Sequence, residues 1–111
     1  MARFTHPRLD EVQLATLLHA LADPARLEIV RRLDDHGRAG GEDLACGGAA
    51  ACEIPRATLS NHFTILRGAG LIESRKHGVQ VLNRLRRAEV DARFPRVLDA
   101  VLGANGRSQA V

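Results

Sequence analysis

Between Pro55 and Arg87 the chain carries seven bases, Arg56, Arg67, Arg75, Lys76, Arg84, Arg86 and Arg87, against the single acid Glu73. A segment of net charge +6 is chemistry for holding a polyanion, and the remaining nine bases and twelve acids set it on a body of net charge −3. A solvated arginine-rich face is the other reading of such a run. The chain has three Phe and no Tyr or Trp. Single-strand readers need aromatic stacking platforms, so a polyanion partner would be a duplex.

Cys46 and Cys52 are the second set with chemical potential. Two cysteines are too few for a disulfide scaffold, but soft thiolates suit a metal or metalloid such as As(III), Zn or Cu(I), and two thiols can oxidise to a disulfide. Zinc would need further ligands, such as His36, Glu53 or a residue of a second copy. An equally good reading is two unrelated small hydrophobes, since free Cys is commonly buried. A cysteine nucleophile would require a paired His and acid, and no motif places them, so an enzyme is not expected.

These residues need elements to position them, and the size is modest. One hundred and eleven residues, 12.0 kDa, leave room for one domain with one core. No apolar run approaches the ~18 residues of a membrane span, and Met1-Ala2-Arg3-Phe4 lacks a signal-peptide apolar region, so a cytoplasmic protein without a membrane partner is expected. The polar start and the small-residue end divide the chain into a flexible 1–9, a folded 10–102 and a flexible tail 103–111.

Asp10 is placed to cap a first helix reaching about Ala22, with Leu14, Leu17, Leu18 and Leu21 on one stripe. Asp23-Pro24 restarts the chain as a cap followed by a proline at the first helical position. Leu27, Val30 and Leu33 continue that second helix to a stop at Gly37. Gly41 to Cys46 reads as a short third helix. A fourth spans about Arg56 to Ala69, with Leu59, Phe63 and Leu66 inward and a small hydrogen-bonding face, Ala57, Thr58, Ser60, Asn61 and Thr64, outward. Leu71 to Lys76 and Val79 to Leu85 form two strands about His77-Gly78. A last helix starts near Ala88 and carries Val90, Phe94, Val97, Leu98 and Val101; Pro95 should kink or split it.

The result is a mainly α fold with a small β-hairpin: five helices and a two-stranded wing in winged helix-turn-helix order. A major groove roughly 12 Å wide admits one helix with a small polar outer face. Ser60 and Asn61 are the candidates for base edges, Arg56 and Thr58 for phosphates at the helix start, and Arg75, Lys76 and His77 for the wing. Arg67 can anchor the helix to its own domain. His62 reads as a structural histidine or a DNA contact. Arg84, Arg86 and Arg87 read as phosphate contacts or as a solvated strand end. A winged-helix protein-interaction module is the competing class, although such a groove would want apolar or aromatic anchors.

The stretch from Arg56 to Arg86, with Ser60, His62, Phe63, Leu66, Arg67, Ala69, Gly70 and Leu71, resembles the recognition helix and wing of the ArsR/SmtB transcriptional repressors. Leu21 to Leu33 (LADPARLEIVRRL) resembles their second helix. The resemblance covers about residues 10 to 102. It implies a cytoplasmic homodimer on a near-palindromic duplex operator, released by a signal. It also implies that the first and last helices form the dimer interface, here Leu14, Leu17, Leu18, Val90, Phe94, Val97 and Val101. The family's Cys-x-Cys metal site falls on Gly40 and Glu42, and its Asp/His site on the last helix finds Asp91 but no histidine beyond His77. Both sites are absent, which leaves Cys46 and Cys52 as the only thiol pair for sensing.

Overall fold

The computed structural model of the chain describes residues 4–41, 43–49 and 53–110, with side chains given for all of these except 46, 47 and 105–110. The order is a short 3-10 turn (Leu9–Glu11), α1 (Leu14–Leu21), α2 (Pro24–Arg38), β1 (Leu44–Ala45), α3 (Cys46–Ala49), α4 (Arg56–Gly68), β2 (Ile72–His77), β3 (Gln80–Leu85), α5 (Arg87–Arg93) and α6 (Val97–Ala110). This is the expected mainly α, winged architecture, with a third strand and with the last helix divided. Pro95 accounts for the division, since it cannot donate a backbone hydrogen bond; Arg96, at φ +68°, closes the break in the left-handed region.

Asp23 caps α2 as its sequence position implies, accepting from the backbone N–H of Ala25 at 2.9 Å and Arg26 at 3.1 Å, with Pro24 at the first helical position. Burial opposes ionisation of this carboxyl, but the two backbone bonds and the Arg26 charge outweigh it and hold it below the usual value. Asp10, in contrast, caps nothing: it pairs with Arg8 at 2.7 Å inside the 3-10 turn, and extended backbone at Val12 and Gln13 delays α1 to Leu14. The extension lets Leu9 and Val12 turn into the core. Gly37 lies inside α2, and the left-handed residue beyond its end is Gly40 at φ +77°.

The expected short helix from Gly41 to Cys46 is replaced by β1 and then by α3. Leu44 and Ala45 pair with Asn83 and Leu82, giving an antiparallel sheet of order β1-β3-β2 in place of a two-stranded wing. The outer edge of β3 would otherwise present unpaired backbone groups, and that pairing overrides a weak local helix preference.

The core joins Leu17, Ala20 and Leu21 of α1, Ile29, Val30 and Leu33 of α2, Phe63 and Leu66 of α4, Leu71 and Ile72, and Val90, Phe94 and Leu98. Gly70 ends α4 at φ +79°, its N–H donating to the Arg67 carbonyl at 3.0 Å, and its α-carbon faces Leu9 and Val12. A Cβ there would lie 3.1 Å from Val12 Cγ2 in a conformation that L side chains resist. Gly70→Ala is expected to cost about 1–3 kcal/mol, read as a lower urea midpoint with an unchanged slope.

Glu28, bonded first by Arg31 and then by Arg32, has its carboxyl pulled down from 4.5 to about 2 against the opposing effect of burial. A depressed carboxylate stabilises the fold fully above its unfolded value, and the contribution fades as pH falls from 4.5 through about 2. Glu28→Gln should therefore lower stability at neutral pH. The gap to the wild type should narrow steadily in urea melts as pH falls through that window.

Residues 4–8, expected to fray, lie against the folded body: His6 Nε2 accepts from the Ser74 N–H at 3.0 Å, and Arg86 donates to the Pro7 carbonyl at 2.8 Å. The backbone of 103–110, read as tail, continues α6.

Candidate nucleic-acid interface

Every residue chosen for the outer side of the fourth helix is exposed: Arg56, Ala57, Thr58, Ser60, Asn61 and Thr64 face solvent while Phe63 and Leu66 are buried behind them. The helix thus presents a strip of short side chains with no bulk to hold another surface away. The Thr64 hydroxyl donates to its own helix at the Ser60 carbonyl, 3.0 Å, which spends its donor locally.

The wing follows directly. His77 pairs with Gln80 across the two-residue loop Gly78-Val79, and Gly78 at φ +64° occupies the first loop position, where a type II′ hairpin needs a left-handed residue. Arg75, Lys76 and His77 are exposed along this finger, and Val79 at its tip is 100% exposed.

A polar chain fixes the wing to α4. Arg67 Nη1 donates to Ser74 Oγ at 3.1 Å, Ser74 Oγ donates to Asn83 Oδ1 at 2.6 Å, and Asn83 Nδ2 donates to the Leu44 carbonyl at 3.2 Å. Ser74 and Asn83 are buried, so these bonds replace water entirely and make the relation of helix, wing and β1 specific. Arg67 also lies over the Phe4 ring, 4.5 Å from its centroid. It is therefore an anchor within its own domain. Ser74 escaped notice in the sequence; Asn83 was detectable as a polar residue on the inward side of an alternating strand.

Much of the basic segment is neutralised internally. Arg84 pairs with Glu73 at 2.6 Å, and Arg86, its side chain nearly buried, pairs with Glu89 at 2.7 Å. Arg87 reaches Asp34 at 3.2 Å, Asp91 at 2.9 Å and Asp99, joining α2, α5 and α6. Arg86 and Arg87 are committed to holding the fold, while Arg84 keeps an exposed pair at the surface, as a solvated strand end does. Among the described residues Arg56 and Lys76 have no ion pair, while Arg75 Nε is shared with Asp43 at 3.3 Å. Because that pair competes with any anion, Asp43→Asn should strengthen binding to DNA of any sequence about two- to threefold at low salt, measured by fluorescence anisotropy.

The stripes assigned to dimerisation divide in two. Leu17, Val90 and Phe94 are buried in the chain's own core, and Val97 and Val101 are partly buried against it. On α1 the inward side is Leu17, Ala20 and Leu21, which leaves Leu14 and Leu18 on the next face, 43% and 41% exposed. Cys52 lies outside the described residues, as does the side chain of Cys46. Among the described residues no group of three or more His, Cys, Asp or Glu could hold a metal ion, and no helix is long and apolar enough to cross a membrane.

A helix-turn-helix domain family matches residues 21–75. The chain is 38% identical over 73 residues to the uncharacterized HTH-type transcriptional regulator YceK of Bacillus subtilis (strain 168), covering 65% of this chain and 69% of that protein. It is 33% identical over 64 residues to the uncharacterized HTH-type transcriptional regulator MJ1325 of Methanocaldococcus jannaschii, covering 58% and 67%. Among solved structures, the transcriptional repressor BigR from Xylella fastidiosa superposes with a TM-score of 0.60 at 27% identity, covering 82% of this chain and 84% of that one. An ArsR-like transcriptional regulator from Rhodococcus sp. RHA1 does so with 0.55 at 30%, covering 87% and 86%. The shared fold, the exposed polar side of α4 and these relatives agree: the chain belongs to the ArsR/SmtB family of winged helix-turn-helix, DNA-binding transcriptional regulators.

Proposed function

We propose that the chain is a homodimeric cytoplasmic repressor that sits on a near-palindromic duplex operator and leaves it on receiving a signal. The observation that carries the reading is the contrast across α4, with six short or basic residues exposed and Phe63 and Leu66 anchoring the opposite side. Ser60 and Asn61 read base edges, Ala57 and the Thr64 methyl give close apolar approach, and Arg56 and Thr58 meet phosphates at the positive end of the helix. Arg75, Lys76 and His77 hold the flanking backbone.

Leu14 and Leu18 are the exposed apolar pair that a second copy would cover, and the partly buried Val97 and Val101 of α6 are the further candidates. Two-fold symmetry then sets the two reading helices about one DNA turn, roughly 34 Å, apart. Release through Cys46 and Cys52, by a metal or metalloid ion or by oxidation, would act on the connection leading into α4.

A mobility-shift assay with DNA from upstream of the chain's own coding sequence tests the reading. Salt-sensitive, sequence-preferring binding is expected, and its absence would sink the proposal. A Cys46→Ser/Cys52→Ser variant that still binds but no longer responds to arsenite, zinc or oxidants is the expected outcome for thiol sensing; an unchanged response removes the sensor and leaves the repressor.

A further inference from the structure

His62 lies on α4 between Asn61 and Phe63, and its side chain is only 12% exposed. The guanidinium of Arg26 faces it, with Nη1 3.4 Å from His62 Nδ1. Arginine has donors only, so His62 Nδ1 is the acceptor, and the neutral ring carries its proton on Nε2. That nitrogen lies 4.0 Å from Asp23 Oδ2, the carboxylate that caps α2.

Arg26 is itself buried, and two further donors reach the C-terminal end of α1: Nε donates to the Ala20 carbonyl at 2.7 Å and Nη2 to the His19 carbonyl at 3.3 Å. Both lie in the last turn of α1, where helix geometry leaves carbonyls short of intrahelical partners, and the His19 carbonyl also accepts from the Ala22 N–H at 3.1 Å. One guanidinium therefore holds the end of α1, the start of α2 through its own backbone, and the flank of α4. A cation at the α1 C-terminus is also favoured by the helix dipole.

We infer that Arg26 and His62 form a positioning pair that sets the angle at which α4 presents Ser60 and Asn61, and that it ties this angle to the helix carrying Leu14 and Leu18. The inference rests on the DNA-binding reading above. Short side chains tolerate little displacement if they are to reach base edges, whereas long arginines and lysines follow a phosphate through small shifts. Loss of the pair therefore lowers sequence preference and spares non-specific attraction. Displacement of the α1 end moves the guanidinium, which gives a subunit interface a direct route to the reading surface.

The test uses the full chain and two duplexes, one that the wild type enriches from a random library and a scrambled one of equal composition. If the wild type enriches nothing, the DNA-binding reading itself fails, separately from this inference. His62→Ala is expected to weaken the enriched duplex about tenfold or more while the scrambled duplex changes less than about twofold. His62→Asn, whose Oδ1 stands where Nδ1 was, should restore affinity to within about threefold; His62→Gln, whose acceptor lies one atom further out, should not. Should the alanine variant fail to fold, the Asn and Gln variants decide alone. Wild-type selectivity in the alanine or glutamine variant, or equal loss on both duplexes, would overturn the positioning role.

Discussion

Replacing Ser60 and Asn61 together by alanine is expected to lower affinity for the preferred duplex about a hundredfold and to leave affinity for scrambled DNA almost unchanged, as judged by anisotropy titrations on both. Each well-placed base contact contributes about 1–3 kcal/mol of discrimination, and neither residue contributes net charge. Both side chains are exposed, and alanine is the better helix former, so thermal stability should hold or rise slightly. A parallel fall on both duplexes would place the reading contacts elsewhere and leave α4 as a phosphate rest.

The second large effect lies behind that surface. Phe63 is buried on the opposite side of the same helix, and Phe63→Ala should remove about 3–5 kcal/mol of stability through lost burial and the cavity left behind. For a domain whose whole margin is of order 5–15 kcal/mol, much of it disappears with that one ring. Chemical denaturation measures this directly, with Leu14→Ala as the control expected near zero in a dilute monomer. If Phe63→Ala melted with the wild type, α4 would not be seated as described.

Local signals in the sequence carried the parts closest to function. Asp23-Pro24 announces its helix through a cap two and three residues away, Pro95 breaks the last helix wherever it lies, and the 3.6-residue spacing of Leu59, Phe63 and Leu66 identifies the outer side of α4 without any structure. His77-Gly78 likewise places the hairpin to within a residue. Each depends on neighbours along the chain.

What escaped depends on neighbours in space. Leu44 and Ala45 become a strand only because Asn83 and Leu82 wait beside them, and two residues have no periodicity to read. The charge segment looked like a seven-base reading head because Glu89, Asp34, Asp91 and Asp99 lie outside its bounds; folding brings them to Arg86 and Arg87. The leucine stripe of α1 had the same weakness. Spacing shows that four leucines share one side of a helix, but packing decides that Leu17 and Leu21 are core while Leu14 and Leu18 remain uncovered.

The neutralised arginines give the central claim a numerical consequence, which a salt titration of binding to the preferred duplex measures most directly. With Arg56, Arg75 and Lys76 as the cations facing DNA in each of two subunits, the slope of log K against log salt should be about −5. A slope near −13 would mean that all seven bases of the segment meet phosphates and that the ion pairs to Glu73, Glu89 and Asp34 open on the operator. A slope close to zero, or the same affinity for every sequence, would contradict the account of α4 and the wing as a reader of duplex DNA.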